Sequence, residues 1–180
     1  MAKPQKLMAT RRLLLNNIVI RQAQQQDAQR VAEIRQNTWR TTYSGLIPEY
    51  YFENFNLEKE TERYKNLFVN ADNAFVIEVN NKVVGFFFLS NTPQIISEQE
   101  YSASIGAIYV EQDFQRMGLG KKAFEVINNY FKNKKQKHFF VYCLKTNEIG
   151  KSFYEKNGGR IIGEKQFKDL LEVCFLFDVK

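Results

Sequence analysis

Apolar residues along this chain switch repeatedly between the alternating spacing of strands and the three-to-four spacing of helices. The segment IVIRQ at 18–22 is predicted as a strand, and Asp27 can cap the helix that follows it. Two apolar runs on either side of Asn80 and Asn81 are predicted as a hairpin, because asparagine tolerates the positive φ of a tight turn. The full order of predicted elements is β-α-α-α-β-β-β-α-β-α-β-β, which indicates one α/β domain.

The most regular helical pattern begins after two glycines, Gly118 and Gly120, which follow a predicted strand at 102–110. The apolar positions of this helix are Ala123, Phe124, Ile127, Tyr130 and Phe131. A helix N-terminus has unpaired N–H groups and a positive dipole end, so a glycine-rich turn there lets phosphate oxygens come close to the backbone. Three cations stand at the same place, namely Arg116, Lys121 and Lys122. The pattern therefore predicts a phosphate-binding turn.

Two common phosphate-binding patterns can be compared with this turn. The Walker pattern needs a glycine five positions before Gly120 and a Ser or Thr after the lysine, but the chain has Gln115 and Lys122 at those positions. The dinucleotide pattern G-x-G-x-x-A does fit residues 118–123. The loop before it is long for that pattern, and the next strand ends in Lys145 where a ribose-binding acid would be needed. A dinucleotide-dependent oxidoreductase remains an alternative.

Composition and charge narrow the class of protein. The chain has 180 residues, of which 44% are hydrophobic and 26% charged, and this fits one globular domain with a sizeable core. Lys and Arg exceed Asp and Glu by 26 − 20 = +6, an excess that favours an anionic ligand as readily as nucleic acid. Because the chain has no RRM, KH or zinc-finger signature, we expect no nucleic-acid partner.

The cysteines and the histidine argue against metal and hydrolase chemistry. Cys143 and Cys174 lie in apolar runs without metal-ligand spacing and are predicted as core residues in a reducing compartment. His138 is the only histidine and heads a predicted strand. No apolar run approaches the roughly 18 residues of a membrane span, so we expect a cytoplasmic protein with no membrane partner. Residues 1–16 are predicted as an N-terminal extension and residues 17–180 as a single domain.

Three blocks of the sequence together resemble one family. Residues 115–120, Gln-Arg-Met-Gly-Leu-Gly, fit Q/R-x-x-G-x-G/A, the acetyl-CoA signature of the GCN5-related N-acetyltransferase superfamily. The central block of that family is similar to AIYVEQDFQRMGLGKKAF, and its second block to LKTNEIGKSFYEKNGGRIIGE. An acceptor-side segment of one branch resembles TWRTTYSGLIPEYY. The resemblance implies an α/β fold with a mixed, mostly antiparallel sheet that is splayed at the central strand and flanked by helices.

The resemblance also implies a reaction, in which an acetyl group passes from acetyl-CoA to a primary amine by direct attack in a ternary complex. Tyr154 would protonate the departing thiolate, and Asn147 would hydrogen-bond the pantetheine. The strand before the glycine turn would pair with the pantetheine arm, and N–H groups from Gln115 through Lys121 would bind the pyrophosphate. The implied cofactor-binding residues are Ile108, Tyr109, Val110, Gln115, Arg116, Met117, Gly118, Leu119, Gly120, Lys121 and Asn147.

The acceptor side is less defined than the cofactor side. Four aromatic residues are predicted to face the acceptor, which is an amine of a small molecule or of a protein: Trp39, Tyr43, Tyr50 and Tyr51. The alternative is that they only pack in the core. Ser104 stands where many members of the family have a glutamate that takes the proton of the amine. The general base therefore stays open, with Glu49, Glu100 and Tyr43 as candidates.

Three further alternatives are left open by the sequence. A covalent route through Cys143 is disfavoured by the apolar run around this residue. A non-catalytic module that senses acyl-CoA would use the same cofactor motif. The sequence also leaves a homodimer open.

Overall fold

Nine strands and five α-helices make up residues 17–180, the part of the chain that the computed structural model describes. The strands are β1 (Ile18–Gln22), β2 (Ala74–Val79), β3 (Lys82–Ser90), β4 (Gln94–Ile96), β5 (Gln99–Tyr101), β6 (Ser104–Val110), β7 (His138–Leu144), β8 (Arg160–Phe167) and β9 (Leu170–Asp178). The helices are α1 (Ala28–Tyr43), α2 (Tyr50–Glu53), α3 (Leu57–Leu67), α4 (Leu119–Asn133) and α5 (Glu148–Lys156). The predicted extension at 1–16 lies outside the described residues.

Seven of the strands form one sheet in the order β1-β2-β3-β6-β7-β9-β8. Neighbouring strands run antiparallel, except β6 and β7, which are parallel. Within the described residues these two central strands pair at a single position, Ser104 with Phe140, and then diverge. The predicted mixed, mostly antiparallel sheet that splays at its central strand is therefore confirmed.

Helices cover both faces of the sheet, and β6 contributes side chains to both faces. On one face Ile108 and Val110 pack with the buried sides of α4 and α5. On the other face Ala107 and Tyr109 pack with the buried sides of α1 and α3. Successive side chains of a strand point to opposite faces, so this division follows from the strand geometry alone. Any ligand beside β6 can therefore meet residues from both helical layers.

A hairpin of β4 and β5 lies outside this sheet and is missing from the predicted order of elements. Its turn places Ser97 and Glu98 at φ values of 49° and 67°, although neither residue is typical of that conformation. Ile96 packs with Phe140 in a small apolar cluster, and the Ser97 hydroxyl donates to the carbonyl of Ile162 at 2.6 Å. The hairpin thus covers β7 and β8 with a segment to which the sequence assigns no element.

The two cysteines are buried, which confirms their prediction as core residues. Burial raises the pKa of Cys143 and the pKa of Cys174 to about 12 in each case. Across the part of the chain that is described, no helix is both long enough and apolar enough to cross a membrane.

Candidate active site

The divergence of β6 from β7 opens a cleft of about 360 Å³ through the middle of the sheet. Residues from eight of the helices and strands line this cleft, so it collects side chains that are far apart in the sequence. The titratable and polar ones used below are Trp39 and Tyr43 of α1, Tyr109 of β6, Cys143 of β7, Tyr154 of α5 and Glu172 of β9. The cleft also reaches Ser104 and Asn147, both of which are buried.

Backbone groups of β6 form one wall of the cleft. The N–H of Glu111 donates to the carbonyl of Val84 on β3 at 2.9 Å, and Tyr109 lies opposite Phe86 in the same ladder. Because the hydrogen-bonding direction alternates along an antiparallel strand, the backbone groups of Ile108 and Val110 point away from β3. They face the gap that β7 leaves, as a pantetheine-pairing edge requires.

Gln115 closes the end of this edge. Its side-chain amide Nε2 donates to the carbonyl of Val110 at 2.9 Å, and its own N–H donates to the carbonyl of Gln112 at 3.2 Å. Of the two residues on the edge, Val110 therefore has its carbonyl engaged. Gln115 therefore links the loop to the strand through its side chain. Because its own N–H is already engaged, the N–H groups that could bind a phosphate belong to later residues.

The turn that follows is held open by left-handed backbone conformations. Arg116 has a φ of 61° and Gly118, the N-cap of α4, has a φ of 85°. The first helical hydrogen bond runs from the N–H of Lys122 to the carbonyl of Gly118 at 3.1 Å. The N–H groups of residues 119–121 thus precede the helical ladder and remain available to a ligand. Leu119 offers only its backbone, because its side chain is buried.

Gly120 has a different role from the one that its place in the signature suggests. A Cβ at Gly120 would lie 2.7 Å from Cε2 and 2.8 Å from Cζ of Phe153. The missing side chain therefore makes room for an aromatic ring of α5. At Gly118 a Cβ would meet nothing within 4 Å, but the positive φ disfavours any side chain. Only Gly118 presents an open surface at this turn; Arg116 and Lys121 are exposed beside it, and Met117 is partly exposed.

Helix α5 brings Asn147 and Tyr154 to the cleft. Asn147 caps the helix, because its Oδ1 accepts the N–H of Gly150 at 2.9 Å. Tyr154 is 8% exposed, and its ring packs against Phe124 and Phe175. Burial, and after it the nearby Cys143, raises the pKa of Tyr154 above its ordinary value. The phenol therefore keeps its proton at neutral pH.

Aromatic residues predicted for the acceptor side separate into two groups. Trp39 and Tyr43 line the cleft with an edge-to-face contact of 5.9 Å between ring centroids, and Trp39 Nε1–H donates to the Tyr109 hydroxyl at 2.9 Å. Tyr109, predicted for the cofactor, thus directs its side chain to the acceptor-side aromatic residues. Tyr50 is 45% exposed and lies outside the described lining of the cleft, whereas its neighbour Tyr51 lines it.

Tyr50 and Tyr51 instead connect two distant segments. Both hydroxyls donate to the carboxylate of Asp169, at 2.9 Å and 2.7 Å. Asp169 lies in the turn between β8 and β9, so this cluster, the Tyr-Asp tie, joins α2 to the far half of the split sheet.

Glu172 is the cleft residue that the sequence reasoning missed. Of the three predicted bases, Glu49 and Glu100 are exposed and lie away from the described cleft lining, whereas Tyr43 lines the cleft. Ser104, which stands where many members of the family have a glutamate, is buried and also lines the cleft. Glu172 is half-buried and lines the cleft, and burial raises its pKa above the usual value for glutamate, with Lys165 opposing the shift. A charged residue inside the apolar run of the last strand is the signal that could have found it.

A sheet that splits beside a glycine turn at a helix N-terminus, with a buried phenol lining the gap, is typical of acyl-CoA-dependent acyltransferases. Residues 29–159 match the family model described as the acetyltransferase (GNAT) family. The chain belongs to this family, which confirms the resemblance found in the sequence. It is an acetyl-CoA-dependent acyltransferase, with acetyl-CoA as its co-substrate.

Relatives and solved structures agree with this assignment. The chain is 27% identical over 152 residues to YuaI, an uncharacterized N-acetyltransferase of Bacillus subtilis, covering 84% of this chain and 85% of that protein. It is 26% identical over 151 residues to a spermidine N(1)-acetyltransferase of Thermoplasma acidophilum, covering 81% and 89%. The PaiA N-acetyltransferase of Thermoplasma acidophilum, solved with coenzyme A, has the same fold with a TM-score of 0.71 at 23% identity, covering 88% of this chain and 98% of PaiA.

Proposed function

We propose that this chain transfers the acetyl group of acetyl-CoA to a primary amine by direct attack, with both substrates bound at once. One observation carries the proposal. The open edge of β6 lines the same cleft as Tyr154, and the strand continues through the glycine turn to the N-terminus of α4. A single extended ligand with a thioester at one end and phosphates at the other suits that arrangement.

The donors of the chain fit acetyl-CoA. N–H groups of residues 119–121 and the cations Arg116 and Lys121 suit a pyrophosphate at a helix N-terminus. The free backbone groups of β6 suit the amides of pantetheine, which would pair with them as an added strand. Asn147, whose Oδ1 is engaged in the helix cap, still has its amide N–H groups for the same arm.

The chemical roles follow from the same residues. Bound acetyl-CoA supplies a thioester carbonyl that an amine can attack. A backbone N–H of β6 beside that carbonyl can stabilise the negative charge that develops on its oxygen. Tyr154 holds a proton at neutral pH and can give it to the departing thiolate.

Direct attack is favoured over a covalent route by the state of Cys143. Burial raises the pKa of its thiol to about 12. At neutral pH only about one thiol in 10⁵ would then be ionised, and the thiolate is the nucleophile in such a route. The acceptor is proposed as a primary amine because aromatic residues and a carboxylate line the other side of the cleft.

Thermal unfolding in the presence of acetyl-CoA, CoA, NADH, NADPH and ATP tests which of these ligands binds the folded protein. A ligand at 100 times its Kd that binds only the folded state adds about 2.7 kcal/mol, or roughly 5–10 °C for a domain of this size. Acetyl-CoA and CoA should both give this shift, and ATP should give much less because it has no pantetheine. A large NADH shift with no response to acetyl-CoA would support the oxidoreductase alternative and contradict the proposal. CoA release with a panel of amines then separates an enzyme from a non-catalytic sensor.

A further inference from the structure

Glu172 occupies an unusual place for a carboxylate. It lies on β9, opposite Leu144 of β7 and Lys165 of β8, and its half-buried side chain lines the cleft. Within residues 17–180 no hydrogen bond or ion pair holds its carboxylate. The cation that interacts with it, Lys165, places its Nζ 3.9 Å from the centroid of the Tyr142 ring. The cleft therefore contains a negative charge that the protein itself leaves without a bound partner.

The groups around Glu172 are nearly all neutral at neutral pH. Those that interact with it are Lys165 on β8, Tyr109 on β6, Tyr142 and Cys143 on β7, and Cys174 on β9. Burial raises the pKa of each of these tyrosines and thiols, so they stay protonated. Lys165 is the one charged neighbour among them. An unpaired carboxylate in such surroundings is typical of a functional site.

Glu172 and Tyr154 share two electrostatic neighbours. Cys143 and Tyr109 each interact with both residues. A reacting group between the carboxylate and the phenol would thus lie beside these two side chains. No other candidate base is as suitable: Ser104 is a hydroxyl, and burial keeps Tyr43 protonated by raising its pKa well above the ordinary value.

We propose that Glu172 binds the acceptor amine in its ammonium form and takes the first proton from it. The proposal rests on the proposed function and names both the class of acceptor, a strongly basic alkylammonium, and the group that receives it. The raised pKa of Glu172 makes its carboxylate a stronger base than an exposed glutamate.

The protons of the reaction balance in this scheme. The alkylammonium gives one proton to Glu172, and the neutral nitrogen attacks the thioester carbon. The bond from that carbon to sulfur then breaks, and Tyr154 gives its proton to the thiolate, forming CoA. The second proton of the nitrogen returns to Tyr154, and Glu172 releases the first to water. The products are the acetamide, CoA and one proton.

A pair of amines of different basicity tests this role. Propylamine is almost fully protonated near neutral pH, whereas trifluoroethylamine is largely neutral. For propylamine, Glu172→Gln should lower kcat/KM by roughly 10²-fold or more, the usual contribution of a positioned proton acceptor. For trifluoroethylamine the loss should stay below about threefold, since its nitrogen needs no base before attack. The residual activity with propylamine should rise about tenfold per pH unit toward the amine pKa of about 10.5.

The matched control is Glu164→Gln. Glu164 is an exposed glutamate on the adjacent strand β8, and it forms a surface ion pair with Lys145 at 2.7 Å. This change should leave both amines within about twofold of the wild type, as expected for an exposed pair. Equal losses for the two amines in Glu172→Gln would overturn the proposal.

The Tm of Glu172→Gln distinguishes a functional carboxylate from a structural one, because the two roles predict opposite changes in Tm. The pKa of Glu172 is raised in the folded state, so its contribution to stability is present below its unfolded pKa and is lost as the pH rises through its folded pKa. Glu172→Gln should therefore match or exceed the wild-type Tm at about pH 8, where the buried charge is a cost. A clear fall in Tm at that pH would indicate a structural ion pair with Lys165 and contradict the proposal.

A binding measurement separates failure of this inference from failure of the proposed function. The carboxyl ¹³C signal of Glu172, assigned by its loss in Glu172→Gln, is followed in the CoA complex while propylammonium chloride is added. The signal should shift and its titration should move to lower pH, because a bound cation favours the carboxylate. No response would overturn the role of Glu172 even if amines are acetylated. A response without CoA release in any amine assay would support the ammonium site and contradict the proposed transfer.

Discussion

Replacing Gly120 with alanine distinguishes packing from ligand binding at the glycine turn. The new Cβ would start 2.7 Å from Phe153, and ordinary contact begins at 3.4 Å, so the ring or α4 must retreat by about 0.7 Å. Phe153 is itself packed edge-to-face on Phe124 at 5.3 Å between centroids. Overpacking of this kind costs about 1–3 kcal/mol, and the helix preference of alanine offsets up to about 1 kcal/mol. We expect a net loss of about 1 kcal/mol, or roughly 2–4 °C in Tm.

Two further variants isolate the cause. Phe153→Leu removes the obstructing ring edge, so it should cost less in the Gly120→Ala background than alone, with a coupling of about 1 kcal/mol in a double-mutant cycle. Gly118→Ala is the matched control. It should lose a similar amount through its positive φ of 85°, but without coupling to Phe153, since a Cβ there meets nothing within 4 Å.

Acetyl-CoA affinity is the second half of the assay. Because the Cβ at Gly120 points toward Phe153, the N–H groups of residues 119–121 stay exposed, and calorimetry should find the Kd within about threefold of the wild type. An unchanged Tm together with a tenfold or greater loss of affinity would refute this reasoning. It would mean that the side chain meets the phosphate rather than the ring.

Two more predictions concern the cleft. Tyr154→Phe keeps the ring contacts with Phe124 and Phe175, so Tm and acetyl-CoA affinity should stay at wild-type values. In a CoA-release assay kcat should fall by roughly 10²-fold or more, because the proton donor is lost. Unchanged turnover would remove Tyr154 from the mechanism. Cys143→Ala should retain kcat within about threefold, because a thiol with a pKa of about 12 is not ionised at neutral pH. If Cys143→Ala loses turnover and an acetylated Cys143 can be trapped in the wild type, the covalent route is favoured.

The sequence predicted the sheet well because its signals are local. Alternating apolar residues mark strands, and the glycines before α4 mark a turn, so β6, α4 and their connection could be recognised without tertiary information. The β4 and β5 hairpin could not, since three-residue strands and a turn at Ser97 and Glu98 carry no local signature.

The candidate site was predicted less completely, because it depends on long-range neighbours. Gly120 fits a phosphate signature, yet the atoms that a Cβ there would meet belong to Phe153. That residue lies 153 − 120 = 33 positions later in the sequence. Tyr50 and Tyr51 are adjacent in the sequence, and only the fold shows which of them lines the cleft. Glu172 lies in the last strand, after the end of the second block at Glu164, so no recognised motif includes it.

The Tyr-Asp tie has a consequence for how molecules reach the cleft. At one end the split is closed by the pairing of Ser104 with Phe140, and at the other end Tyr50 and Tyr51 bridge it to Asp169. Between these two connections the cleft is lined by residues of both α1 and α5. Its two mouths lie under different helical layers, α4 and α5 on one face and α1 on the other. Under the proposed function, CoA leaves on the face covered by α4 and α5, and the acetylated amine leaves on the face covered by α1. The release of one product then does not depend on the release of the other.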